Sequence, residues 1–191
     1  MDHRVSVIVA PAPFVSWEEM QTHGKIEEES DQTYVETLIS AATTWLDGAT
    51  GWLGRSLGVQ VLEFAGCGWP QSVLCLPFGP VIEIVSVSYI DPNGDEQSLP
   101  LPLPFPDDVS DLPEVRGNPG DVRIRYRAGY GKQDPDDASK WINTVPDPIR
   151  VAVMMLVSQW YENRQGLTVG QTVGELPFAV RVLVQPYRIY R

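Results

Sequence analysis

The sequence is short of the residues that do covalent chemistry: its 191 residues include two histidines and two cysteines. His3 falls in a predicted N-terminal arm and His23 at a predicted helix end, so both read as solvated and a histidine-based triad is not expected. Cys67 and Cys75 form neither a CxxC pair nor part of a metal-ligand quartet, which argues against a zinc site. They read as two partly buried thiols in a reducing compartment. Positive charge is also scarce. Fourteen Lys and Arg against 25 Asp and Glu leave a net charge of −11, the wrong sign for a surface that neutralises phosphates. A chain this acidic can still meet DNA as the wall of a conduit that repels it. Long apolar runs are missing, so no membrane span is expected, and the run 5–10 is too short and too close to prolines for a signal peptide.

What is present suffices for a core, since hydrophobic residues make up 43% of the chain, and its length suits one domain with an elaborated insertion. Ser16 and Glu19 stand at capping-box spacing and start a helix that should end near Gly24. A stronger helix is predicted over 31–49. Tyr34, Leu38, Ala41 and Trp45 form one stripe, with Val35, Ile39, Ala42 and Leu46 beside it. Glu36, Ser40, Thr43 and Asp47 line the opposite side, and Gly48 and Gly51 close the helix. The pattern then changes period. "VQVLEF", "SVLCLP" and "VIEIVSVSYI" read as strands, followed by the turn "DPNGDE" with Asn93 and Gly94 supplying positive φ. "DVRIRYRAGYG" is another strand, with Val122, Ile124 and Tyr126 facing one way and Arg123, Arg125 and Arg127 the other. The proline-rich, acidic segment 99–120 predicts an irregular loop projecting from the sheet, and "KQDPDDASKWINT" a second loop. Helices flanking strands make the fold class α+β.

Pro148 suits the first turn of a further helix. Ile149, Val153, Leu156 and Trp160 give it one narrow apolar face; Val151, Met154, Val157 and Tyr161 give it a second, broken mainly by Ser158. A helix at the edge of a monomer needs only one such face. Two faces fit either the centre of a bundle or a surface shared with a neighbouring subunit, and periodicity does not choose between them. Pro177 opens a short helix through Val184, which Pro186 stops. Tyr187, Arg188, Tyr190 and Arg191 remain as a basic-aromatic tail of a composition that docks.

Sites of known chemistry are not found. "GYGK" lacks the spacing of a phosphate loop, and Gly48, Gly51 and Gly54 do not make GxGxxG. In "DPDDAS", Ala138 takes a position a calcium loop would fill with a ligand, so these carboxylates, like Asp107 and Asp108, read as solvated loop acids. No catalytic, cofactor-binding or metal-binding residue is assigned.

Several phrases, taken in order, carry a resemblance: "TLISAATTWL", "TGWLGRSLGVQ", "LPFGPVIEIVSVSYIDPNG", "VRIRYRAGYG", "VPDPIRVAVMMLVSQWYENR" and "LPFAVRVLVQPYR". Together they resemble the head-tail connector, or adaptor, proteins of long-tailed bacteriophages, prophages and phage-like gene-transfer particles, with "WYENR" and "PYR" the most distinctive. The resemblance implies a helical bundle with an inserted antiparallel β-rich region: a helical part over 1–52, the insertion over 53–131, and a C-terminal helix and portal-facing tail over 145–191. It implies a ring, commonly of twelve copies, in the virion neck, assembled in the host cytoplasm. The implied partners are the portal, a stopper or other tail-proximal neck protein, and double-stranded DNA passing through the lumen without sequence-specific binding. Trp160, Tyr161 and Arg164 would belong to the central helix, and Pro186, Tyr187 and Arg188 to the portal-contacting segment. Val151, Met154, Tyr190 and Arg191 complete the candidate interface. The competing readings are another neck protein, such as a stopper or tail terminator, and a carbohydrate- or peptide-binding β module stacking ligands on Trp52, Trp69 and Trp141.

Overall fold

The computed structural model describes residues 3–48, 51–70, 76–101, 112–164 and 177–190. The chain divides into two compact units, each built from two separate segments: residues 1–12 with 56–142, and residues 13–55 with 143–191.

The second unit is helical. Its first helix, α1 (Trp17–Gly24), has the expected box: the Glu19 N–H donates to Ser16 Oγ at 3.3 Å, and the Ser16 N–H donates to Glu19 Oε2 at 2.9 Å. A 3-10 turn at Glu29–Asp31 leads into α2 (Gln32–Leu46), which stops three residues short of the predicted end because Asp47 turns extended. α3 (Asp147–Glu162) carries Pro148 in its first turn, and α4 (Phe178–Val184) begins after Pro177 and runs into a 3-10 turn at Gln185–Tyr187. The other three helices all pack on α3.

Of the two predicted stripes of α2, the one that enters the core is Val35, Ile39, Ala42 and Leu46; Ala41 is exposed and Tyr34, Leu38 and Trp45 are half-buried. α3 answers with Ile149, Ala152, Val153, Leu156 and Val157, each fully buried, and α4 adds Val180 and Val184. Burying each Leu, Ile or Val side chain contributes about 1.5–3 kcal/mol, so this seam holds the bundle.

The first unit is a five-stranded antiparallel sheet in the order β1-β2-β5-β3-β4. Its strands are β1 (His3–Val9), β2 (Gln60–Gly66), β3 (Val81–Ile90), β4 (Glu96–Ser98) and β5 (Val122–Ala128). Leu62, Phe64, Val87, Val122, Ile124 and Tyr126 cover one face and are buried, as the alternation in β5 requires. The Tyr126 hydroxyl, buried with its ring, donates to the Pro77 carbonyl at 2.6 Å.

The structure departs from the sequence reading in several places. Thr43 and Asp47, read on the side of α2 opposite its apolar stripes, are buried. Residues 3–9, read as part of an arm before the helices, form β1 and pair with β2. Part of the predicted loop after β5 is ordered as β6 (Gly131–Gln133) and β7 (Trp141–Asn143), a two-stranded ribbon whose three-residue strands are too short to show a period. In the turn after β3, Gly94 alone takes positive φ; Asn93 does not, because the Asp91 carboxylate organises the turn by accepting from the Asn93 and Asp95 N–H groups. Of "SVLCLP", Ser72 to Cys75 lie outside the described residues, and Leu76 and Pro77 are not in a strand. Most of the proline-rich loop, residues 102–111 with Asp107 and Asp108, also lies outside them.

Candidate functional site

The most organised polar cluster in the helical unit joins the start of α2 to the end of α3. Tyr161 donates its hydroxyl proton to Asp31 Oδ2 at 2.5 Å, and Arg164 Nη2 donates to the same oxygen at 2.7 Å. The Arg164 guanidinium lies 4.9 Å from the ring centroids of both Tyr34 and Tyr161. The Tyr161 hydrogen bond, followed by Arg164, holds the Asp31 carboxyl below the usual aspartate range, while Asp31 pushes the Tyr161 phenol and the Arg164 guanidinium upward. One turn back, Trp160 packs on Trp45 with centroids 6.0 Å apart. The "WYENR" motif therefore clamps α3 to α2, and its partners lie more than a hundred residues away in sequence.

The basic-aromatic tail docks on its own chain. The Arg188 guanidinium sits 4.1 Å from the Trp52 ring centroid and 4.8 Å from that of Tyr190, whose hydroxyl accepts from Gln185 Nε2 at 2.6 Å. The Ile189 N–H donates to the Leu53 carbonyl at 2.9 Å. Gly54 makes this approach possible. Its φ is +65°, and a Cβ there would meet the Ile189 carbonyl oxygen at 2.9 Å. Tyr187 is half-buried and Pro186 exposed; Arg191 lies outside the described residues.

Val151 and Met154 are half-buried and line an open groove of about 750 Å³ beside Val145, Arg150 and Glu19. Arg150 anchors that wall, donating to the Phe14 carbonyl at 2.7 Å and pairing with Glu19. Val157, read with them as a second face, is core.

Two apolar surfaces escaped the sequence reading. Phe178 and Val182 are 82% and 54% exposed, one helical turn apart on the side of α4 away from Val180 and Val184. That spacing was a usable signal. In the sheet unit, Val7, Ile8 and Val9 stand exposed along the outer strand β1. The tryptophans of the binding-module reading are each engaged within the chain. Trp69 Nε1 donates to the Pro113 carbonyl at 2.8 Å and its ring packs on Tyr89; Trp141 lies under Arg127, and Trp52 under Arg188. Among the described residues, no group of three or more His, Cys, Asp or Glu is placed to hold a metal, and no helix is long and apolar enough to cross a membrane.

Comparison with solved structures meets this arrangement over nearly its whole length. A chain in the neck of an empty GTA particle computed with C6 symmetry superposes with a TM-score of 0.70, covering 98% of this chain and 96% of that one at 19% identity. The protein has the fold of a gene transfer agent neck chain. Chains in the virion of a native gene transfer agent particle and in the neck of a native GTA particle computed with C12 symmetry share the fold, with TM-scores of 0.67 and 0.60 at 20% and 19% identity. Each again covers 98% of this chain and 96% of the other. No family model and no curated protein matches the sequence.

Proposed function

We propose that the protein is a structural component of the neck of a phage-like particle: a head-tail adaptor that forms a ring under the portal, joins capsid to tail and continues the DNA channel. The observation that carries this reading is the full-length agreement in fold with chains of gene transfer agent necks. An unrelated protein sharing one common domain would agree over part of its length. Here both the sheet and the helices are matched across 98% of the chain.

The reading takes further support from the symmetries with which those necks were computed, C6 and C12, which fit a ring of twelve copies. The net charge of −11 suits a lumen that lets DNA slide without adhering. The adaptor role, rather than that of stopper or tail terminator, rests on the order of the resembling phrases and the terminal "PYR". Its partners are further copies of itself, the portal above and a tail-proximal neck protein below, and its work in the virion is mechanical rather than catalytic. Val151, Met154, Trp160, Tyr161, Arg164, Pro186, Tyr187, Arg188, Tyr190 and Arg191 are the residues we assign to subunit or portal contacts, Trp160, Tyr161 and Arg164 in addition to their clamp on α2.

The test is molar mass by light scattering, on the protein alone and mixed with its portal. A large closed assembly in either condition is expected. A monomer that ignores portal would overturn the reading and return attention to the sheet as a binding module.

A further inference from the structure

The face of the sheet opposite its core carries charges in rows set by the strand register. One row reads Ser6, Glu63, Arg125, Ser86, and in it Arg125 Nε is 2.7 Å from Glu63 Oε2. The next reads Val9, Val61, Arg127, Glu83, and Arg127 Nε is 2.8 Å from Glu83 Oε1. In both, a glutamate on a neighbouring strand neutralises the arginine. The third row breaks the rule. It reads Arg4, Ala65, Arg123, Ser88: two arginines flanking an alanine, with no acid.

Both arginines are exposed, and among the described residues neither has a carboxylate within ion-pair distance. Asp121 feels Arg123 electrostatically but is buried and held by Arg116 in two hydrogen bonds of 2.8 and 3.2 Å, and Glu63, which lines the same cleft, is held by Arg125 at 2.7 Å. The pair borders an open cleft of about 610 Å³ that Ala65 and Glu63 also line. A chain with 25 acids and 14 bases thus presents, on β1 and β5 either side of β2, two exposed guanidiniums without an ion-pair partner among the described residues.

The complementary feature stands in the helical unit. Glu27, Glu28 and Glu29 are consecutive and exposed, and none has an ion-pair or side-chain hydrogen-bond partner among the described residues. Their position is fixed at both ends: Ile26 is buried, and Asp31 is tied to Tyr161 and Arg164. The run is presented rather than floppy.

We infer that the Arg4–Arg123 row docks the Glu27–Glu29 run of a second copy of this chain. The inference rests on the ring reading above. A ring closes through a heterologous interface, in which two different surfaces of one subunit meet their complements on the next. These two surfaces differ, have opposite charge, and are each without an ion-pair partner among the described residues of the single chain. Arginine suits the role because its planar fork takes a carboxylate bidentately. DNA is the less fitting occupant, because two arginines amid a net charge of −11 make a poor phosphate track.

The experiment is charge reversal in the full chain, read by sedimentation velocity with and without portal at low and high salt. R4E/R123E and E27K/E28K/E29K should each weaken self-association about tenfold or more, as expected for a few exposed pairs turned repulsive. Circular dichroism and melting temperature should stay as in the wild type, since all five side chains are exposed. The combined variant, with both surfaces reversed, should recover assembly. High salt should weaken the wild-type assembly. Rings that form equally well in all variants would overturn this contact and leave the ring reading standing. A wild-type chain monomeric in every condition would overturn both. Rings that persist in R4E/R123E but lose retention of DNA in the particle would assign the row to DNA instead.

Discussion

At the scale of single residues, the informative positions are those where an apolar helix carries something polar. Ser158 interrupts the second apolar face of α3, and its hydroxyl is buried without a hydrogen-bond partner among the described residues; Thr43 on α2 shares that condition. A buried, unsatisfied hydroxyl costs about 1–3 kcal/mol. Ser158→Ala should therefore stabilise the protein by about 1 kcal/mol, read as a higher midpoint in urea with an unchanged slope. A lower midpoint would mean the hydroxyl has a partner in solution. Met154 poses the opposite question. It is half-buried, on the groove side of α3, whereas Leu156 two residues on is fully enclosed. Leu156→Ala should cost about 2–5 kcal/mol of folding stability. Met154→Glu should leave a folded, soluble monomer and block assembly. If it unfolds the chain instead, the groove belongs to the core. Sequence periodicity gave both residues the same apolar value, because a pattern of apolar positions does not reveal which face meets its own chain.

At the scale of elements, the clamp between α2 and α3 makes a prediction about pH. Asp31 is held below its ordinary range by Tyr161 and Arg164, so its contribution is present above the unfolded aspartate value and is lost as pH falls through the lower folded one. Tyr161 is raised, so its contribution is present below the ordinary tyrosine value and is lost as pH climbs through the higher folded one. Stability of the helical unit should accordingly fall at both limits, and Asp31→Asn should lower the melting temperature at neutral pH while flattening the acid limb. An acid limb identical in Asp31→Asn and wild type would show that other carboxylates govern acid unfolding. This clamp also marks the limit of reading elements from sequence. The amphipathic stripe of α2, the capping box of α1 and the in-out alternation of β5 are local patterns and were legible. Asp31 looked like a helix start and Arg164 like the end of a motif; their meeting, 133 residues apart, is a product of packing. β1 was missed for the same reason. Its register is supplied by β2, and its outer position leaves Val7, Ile8 and Val9 without the alternating burial that identifies a strand.

At the scale of the whole molecule, each unit carries candidate surfaces of its own: the groove by Met154, the outer face of α4 and the acidic run before α2 in the helical unit, and the arginine row in the sheet unit. Two half-buried tail residues, Arg188 and Ile189, are spent on Trp52 and Leu53, which holds the C-terminal segment against its own bundle. The interleaving of the two units has a consequence for the chain as it leaves the ribosome. β1 must wait for β2, and α1 and α2 emerge with their apolar faces uncovered, because α3, which covers them, begins only at Asp147. Roughly 100 residues separate α2 from α3, on the order of 5–20 s at ordinary elongation rates of about 5–20 residues per second. Only near the end of that interval, once Ala128 has emerged, does the nascent five-stranded sheet have every strand it needs, while the bundle has two of its four described helices. Folding is therefore expected to proceed sheet unit first and helical unit last, and a chain stalled before α3 is expected to hold a finished sheet and an unfinished bundle.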